Sequence, residues 1–318
     1  MAVHAFIFPG QGSQTVGMGR DLAAAFAPAR AVFEEVDEVL KQKLSKLMFE
    51  GPIEELTLTE NAQPALMAVS LAVLRVLQAE GGIKLKEKVA LVAGHSLGEY
   101  SALAAVESFS IADTARLLRL RGQAMQRAVP AGQGAMAALL GVELDAAREI
   151  CAEAEMGPSG REIVACANDN GGGQVVISGH KGAVERAIEI AKAKGVKRAM
   201  LLPVSAPFHC ALMAPAADAM AEAFANTTPR APLLPLVANV SAAKATDPNL
   251  IRDLLVQQVT ATVRWRESVQ TMAALGVDSF IELGAGKVLA GLVKRITPDA
   301  ATASAGSPAD IEALLKVL

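Results

Sequence analysis

At 318 residues the chain has room for about two domains, or for one large α/β unit carrying an insertion. Apolar residues make up 52% and aromatic residues 3%, so a core has to be built mainly of Ala, Val, Leu, Ile and Met. A net charge of −3 with no long basic run argues against a nucleic-acid or membrane-surface partner. Three cysteines, Cys151, Cys166 and Cys210, form no CxxC pair and have no histidine cluster nearby. They read as reduced cytosolic thiols, with neither a disulfide framework nor a metal site, and the expected compartment is the cytoplasm.

The N-terminal apolar run is too short for a signal peptide and lacks a basic flank. Residues 3–8 read as a buried strand stopped by Pro9-Gly10. The loop that follows, Pro9-Gly10-Gln11-Gly12-Ser13-Gln14, is glycine-rich, as phosphate loops are. Thr15, however, stands where a dinucleotide fingerprint needs its third glycine, and Met18 where P-loop spacing needs lysine, so both nucleotide readings fail. A loop at the carboxyl end of a strand can instead offer a backbone N–H to an adjacent site, and Gln11 is the candidate donor. Residues 21–46 read as two helical pieces parted at Pro28, and residues 52–56 as a short helix. Residues 64–77 form a helix apolar on nearly every side, which should be buried, with Pro64 in its first turn and Gly81-Gly82 after it. Ser70 and Arg75 interrupt its apolar run, so no transmembrane span is expected.

Residues 89–93 are a short apolar run of the kind that makes a buried strand. Gly94-His95-Ser96-Leu97-Gly98 follows, then helix formers over 99–106. Strand, G-x-S-x-G and helix in this order describe a nucleophile elbow. The tight turn exposes Ser96 at the strand tip, the glycines let strand and helix pass closely, and the helix N-terminus aims N–H groups at the reaction centre. The bland alternative is a structural turn. Residues 111–128 read as a helix carrying Arg116, Arg119 and Arg121, and most such arginines are solvated.

From 131 to 203 the pattern changes. Strand 134–140, helix 145–155, strands 163–167 and 174–178 joined by an Asn/Asp/Gly loop, helix 182–194 and strand 199–204 give βαββαβ, the ferredoxin-like order. The expected organisation is therefore one α/β unit of residues 1–130 and 204–318 with residues 131–203 inserted as a smaller unit. Beyond Ser205-Ala-Pro-Phe-His-Cys come a helix at 211–226, a proline-rich connector at 229–235, strand 236–239, helices 250–259 and 266–275, strand 279–282 and helix 288–295. Residues 297–308 read as loop. Strands alternating with helices imply a mainly parallel sheet.

A nucleophilic serine needs a base, and there are four histidines. His4 opens the first strand and should pack there. His95 neighbours Ser96, so its side chain should point away. His180 lies between hairpin and helix and reads as a surface or capping residue. His209, where the two units rejoin, is the candidate base. No acid stands out as its partner: Asp218, Asp247, Asp253 and Glu267 each have a surface reading.

The stretches FPGQGSQTVGMG, GPIEELTLTENAQPAL, AGHSLGEYSALAA, RGQAMQ, GQVVISGH, LPVSAPFHCALM and GAGKVLAGLVKR, in this order and spacing, resemble the malonyl-CoA:acyl carrier protein transacylase family of fatty-acid synthesis along nearly the whole chain. The resemblance implies an α/β-hydrolase-like large subdomain with a ferredoxin-like small one. It implies Ser96 as nucleophile, His209 as its base, the backbone carbonyl of Gln258 orienting that base, and the N–H groups of Gln11 and Leu97 as an oxyanion hole. It also implies Arg121 as the clamp for the malonyl carboxylate, with Met125, Phe208, Asn168 and Asn170 among the substrate contacts. Polyketide acyltransferases with Phe before the base favour malonyl over methylmalonyl. Two departures stand out: Asn170-Gly171-Gly172-Gly173-Gln174 replaces the usual Asn-Ser-Pro-Gly-Gln, so that loop should be looser, and Ala285 stands where proline is common. The substrates implied are malonyl-CoA and an acidic acyl carrier protein, docked by basic residues for which Lys287, Lys294, Arg295, Lys197 and Arg198 are candidates. Neither metal nor cofactor is called for, and a monomer is expected. Two rivals share these features: a serine thioesterase, which would show an acid on His209, and a non-catalytic docking module.

Overall fold

The computed structural model describes residues 2–158, 160–204 and 206–318; Ser205, which heads the 205–210 link, lies outside the described residues. Two sheets organise the chain. The larger has six strands in the order Lys244–Ala245, Leu236–Val237, Val89–Gly94, His4–Phe8, Ser279–Leu283, Ala301–Ala305. All neighbours are parallel except Lys244–Ala245, which runs antiparallel to Leu236–Val237. The central strands HAFIF and SFIEL are almost wholly buried, because helices cover both faces of a parallel sheet and leave no side for polar alternation.

The smaller sheet is antiparallel, in the order Val164–Asp169, Gln174–His180, Gly134–Leu140, Arg198–Leu201. Helices Leu144–Ala154 and Lys181–Ala193 pack on it through Leu144, Ala147, Ile150, Val184 and Ile188, in a core separate from that of the large sheet. The fold is thus α/β, an α/β-hydrolase-like large subdomain with a ferredoxin-like small one. Cys151 and Cys166 are buried in the small core as free thiols, and Cys210 is buried and free beside His209.

Several local expectations need correcting. The apolar helix begins at Thr59, not at Pro64, and runs to Gly81. The Leu58 carbonyl accepts from both Asn61 and Ala62 at 2.8 and 2.9 Å, so a turn is already closed before Pro64, whose missing N–H costs only the bond to the Glu60 carbonyl. By length and composition this helix could cross a membrane, but 83% of its most apolar window is buried inside the fold, under other helices. The 21–46 region holds three helices, because Lys41 turns left-handed (φ 50°) and ends Ala27–Leu40 before Leu44–Glu50. A short hairpin, Met156–Gly157 with Gly160–Arg161, carries no apolar alternation to announce it. The 297–308 stretch is not loop. Ala301–Ala305 is an edge strand of small residues paired along its length with Ser279–Leu283, and Ser307 with Asp310 forms a capping box for Pro308–Leu314. His180 is neither a free surface group nor a side-chain cap: its Nδ1 accepts the Ile163 N–H at 2.8 Å, across the hairpin.

Candidate active site

Val89–Gly94 ends at the centre of the large sheet, and Gly98–Ala105 begins immediately beyond. Between them Ser96 adopts φ 54°, a left-handed conformation unusual for a residue with a side chain. The flanking glycines are obligatory. A Cβ on Gly94 would sit 1.9 Å from the Gly98 carbonyl carbon, and one on Gly98 would sit 2.2 Å from the Phe8 carbonyl oxygen. Asn239, fully buried two residues beyond the neighbouring strand Leu236–Val237, accepts the Ser96 N–H at 2.8 Å and donates to the Gly94 carbonyl at 2.7 Å, pinning the turn.

His209 also has a left-handed backbone (φ 56°) and is buried. Its Nε2 lies 2.7 Å from Ser96 Oγ, and its Nδ1 lies 2.8 Å from the backbone carbonyl of Gln258. A carbonyl can only accept, so Nδ1 carries the proton and Nε2 turns a lone pair to the serine hydroxyl. Burial, followed by the nearby Arg121 charge, pushes His209 down to about 3, against the raising effect of the Gln258 carbonyl. Asp247 instead caps Pro248–Gln258, Asp253 pairs with Arg252, Glu267 pairs with Arg264, and Asp218 is exposed. The acid on His209 that a thioesterase reading requires is thus missing from the described residues.

Arg121, on Ile111–Ala128, is 1% exposed. Its Nη2 donates to Ser96 Oγ at 3.2 Å and to the Gln258 side-chain carbonyl at 2.9 Å, and Nη1 donates to Gln63 Oε1 at 2.7 Å. Its Nε has no acceptor among the described residues, where no carboxylate comes within ion-pair distance of the guanidinium either. The guanidinium carbon lies 5.5 Å from the Tyr100 ring centroid. Burial draws its pKa below the ordinary arginine value, partly offset by Tyr100 and Glu99. Arg116 and Arg119, the other arginines of that helix, are exposed and half-buried respectively, paired with Asp113 and Glu60.

The remaining residues singled out from sequence fall at different distances from this centre. Met125 is buried, with its sulfur 3.7 Å from Gln63 Nε2, and so reaches Arg121 through Gln63. Phe208 is buried immediately before His209. Asn170 faces away from Ser96, its Oδ1 2.9 Å from His95 Nε2, which also fixes His95 pointing off the serine. Asn168 is buried at an irregularity of its strand and bridges to Val263. The Gln11 and Leu97 N–H groups donate to no acceptor among the described residues; the Gln11 side chain is held by Thr59 at 2.9 Å. Gly171, Gly172 and Gly173 all have positive φ, which explains three glycines in a row. Their turn is closed by Asn170 N–H to the Gln174 carbonyl at 3.0 Å.

Glu99, Asn239 and Gln63 were not singled out in the sequence, yet all three are buried against the residues above. One signal was available for Glu99, the only ionisable residue with a carboxylate in GEYSALAA, a helix whose eight residues are all buried. Its pKa is raised to about 7 by burial, against the lowering effect of hydrogen bonds from Gln258 and the Asn239 N–H and of the Arg121 charge.

A serine on an elbow, a histidine with its proton held by a backbone carbonyl, and spare N–H groups alongside define an acyl-transfer site of the serine–histidine class. The acyl transferase domain model matches residues 5–311. The malonyl CoA-acyl carrier protein transacylase of Escherichia coli (strain K12) is 48% identical over the full length of both chains. The chain belongs to this acyl transferase family. Among solved structures, the acyl-carrier-protein S-malonyltransferase of Bartonella henselae is 56% identical, superposes with a TM-score of 0.95, and covers 99% of either chain. A type II PKS acyl-carrier protein in complex with its malonyl-transacylase is similar at 42% identity and TM-score 0.95, with full coverage of both chains.

Proposed function

We propose that this chain moves a malonyl group from malonyl-CoA to the phosphopantetheine thiol of acyl carrier protein, through a malonyl ester on Ser96. The observation that carries the reading is Arg121: a buried guanidinium, 3.2 Å from Ser96 Oγ, surrounded by neutral partners. Malonyl differs from acetyl by a free carboxylate, and a carboxylate removed from water needs a charged partner.

His209 Nε2 takes the proton of Ser96 as Oγ attacks the thioester carbonyl. The N–H groups of Gln11 and Leu97 receive the oxyanion, and removal of one such donor costs about 10²–10³ in rate in comparable sites. The C–S bond breaks, and CoA sulfur leaves with the proton from His209. The carrier-protein thiol then gives its proton to His209, its sulfur attacks the seryl ester, and Ser96 Oγ departs and regains its proton. A base kept neutral by burial is ready for both halves. The chemistry requires neither metal nor redox cofactor.

Residues 1–130 and 204–318 supply Ser96, His209, Gln258 and Arg121, and residues 131–203 form the smaller unit beside them. The exposed Lys287, Lys294, Arg295, Lys197 and Arg198 are the docking candidates for an acidic carrier protein. Arg295 lies across Gly172 and donates to Gln174 at 3.2 Å, so this basic arm reaches the 171–174 loop, while Lys197 lies over the neighbouring Gly141, whose N–H bonds the Gly173 carbonyl at 2.7 Å. A cytoplasmic monomer fits this reading. Brief exposure to malonyl-CoA should add one malonyl group on Ser96 by intact mass and peptide mapping, and holo carrier protein should remove it. A labelled residue other than Ser96, or an adduct that water removes as fast as carrier protein does, would overturn the assignment.

A further inference from the structure

We infer that Glu99 is a positioning residue for the carboxylate clamp, acting on Arg121 through the side chain of Gln258. Glu99 Oε2 accepts the Gln258 Nε2 hydrogen at 2.6 Å, and Gln258 Oε1 accepts from Arg121 Nη2 at 2.9 Å. The amide therefore stands between a carboxylate and a guanidinium, with its positive end toward the anion and its negative end toward the cation. Turned end for end, it would set NH₂ against guanidinium and oxygen against carboxylate, two repulsive contacts in a dry site. Glu99 thus selects the amide orientation that leaves an acceptor on Arg121.

The spacing matters as much as the orientation. Were Glu99 to reach Arg121 directly, the two would form an ion pair and the guanidinium would have no fork left for a substrate carboxylate. Gln258 keeps them apart while still linking them. The same Nε2 donates to the Ser96 carbonyl at 3.0 Å, and the backbone carbonyl of Gln258 holds His209, so one residue registers the clamp, the elbow and the base to each other. The Asn239 N–H donates to the same Glu99 oxygen at 3.2 Å, which fixes the carboxylate from the sheet side. Glu99 touches neither the reacting atoms nor the acyl group.

This inference rests on Arg121 being the carboxylate clamp, and a double-mutant cycle separates the two. Glu99→Gln keeps the volume and one acceptor oxygen but frees both amides to turn. The readout is the ratio of kcat/KM for malonyl-CoA to that for acetyl-CoA, taken at pH 8 where Glu99 carries its charge, and a merely structural role leaves that ratio unchanged. The ratio should fall about tenfold in Glu99→Gln, within the range of coupling in one hydrogen-bond network. Added to Arg121→Ala, the same substitution should produce no further fall. Unfolding of both proteins by denaturant controls for folding, and Glu99→Asp, which keeps the charge, should retain more of the ratio than Glu99→Gln. An unchanged ratio in Glu99→Gln, or an equal fall in the Arg121→Ala background, would overturn the inference. A failure of Arg121→Ala itself to discriminate would instead overturn the clamp.

Discussion

Two arginines on different helices end in opposite chemical situations. Arg266, on Trp265–Ala274, puts Nε and Nη2 at 2.9 and 2.8 Å from one oxygen of Asp169, which is itself buried. Arg121 is more deeply buried and has only neutral side chains as partners. The contrast separates two uses of the same residue. Arg266 is complete, and its pair ties the small sheet to the large subdomain at a seam where Val263 and Ala167 also exchange a backbone bond at 2.8 Å. Arg121 keeps an Nε without an acceptor among the described residues, and on the proposed function the malonyl carboxylate is what completes it.

Breaking the complete pair should therefore damage the fold and spare selectivity. Asp169→Ala leaves Arg266 without its carboxylate. A fully buried pair would lose about 3–5 kcal/mol, and partial exposure of Arg266 reduces this to about 2–4. Denaturant unfolding reads the loss, while the malonyl-to-acetyl ratio should hold. A collapse of that ratio would show that the seam, and not Arg121 alone, sets selectivity.

The next effect is one of pH and concerns the network behind Arg121. Glu99 sits at about 7 in the folded protein, above its ordinary 4.5. Between these values the folded state keeps a proton that the unfolded state releases, so this group's contribution to stability falls as pH rises through that window. The decline is on the order of 3 kcal/mol. Glu99→Gln removes it, so the variant should be more stable than the parent at pH 8 and show little gain near pH 4.5, measured by unfolding at both. His209, lowered to about 3, acts in the other direction, adding stability as pH rises from there toward 6.5. Comparison of the variant with its parent isolates Glu99.

Much of this was legible in the sequence, for reasons that vary by residue. The elbow could be read because a strand, two obligatory glycines and a helix are all local signals. The ferredoxin-like order could be read because each of its elements has its own apolar period. Ser96 and His209 were paired by counting histidines, and Gln258 as the orienting carbonyl came only from the resemblance, since a backbone acceptor leaves no side-chain signature. Glu99 and Asn239 stayed hidden because their work lies in hydrogen bonds that cross the fold, from helix to sheet end. The 301–305 strand was missed because an edge strand of Ala, Thr and Ser has little apolar contrast, and Pro64 misled because the helix nucleates upstream of it.

Smaller effects sharpen the contrast further. Phe208 is buried beside His209 and can bear on acyl size but not on charge. Phe208→Ser should relax discrimination against methylmalonyl-CoA by about 1–3 kcal/mol and leave the malonyl-to-acetyl ratio within a few-fold, as kcat/KM for the three thioesters will tell. Equal malonyl-to-methylmalonyl ratios in the two proteins would remove Phe208 from the account. Asn replacements of Asp218, Asp247 and Asp253 should change the transfer rate least of all. A loss of about 10⁴ from any one would reveal an acid partner for His209.

The most direct measurement is kcat/KM for malonyl-CoA and for acetyl-CoA in the parent, Arg121→Ala and Arg121→Lys. If Arg121 waits for the malonyl carboxylate, Arg121→Ala should lose about 10² or more on malonyl-CoA, the cost of leaving one buried charge unpaired, and far less on acetyl-CoA. Arg121→Lys should recover only part, because a point charge does not replace a planar fork. Equal losses on both thioesters would contradict the account.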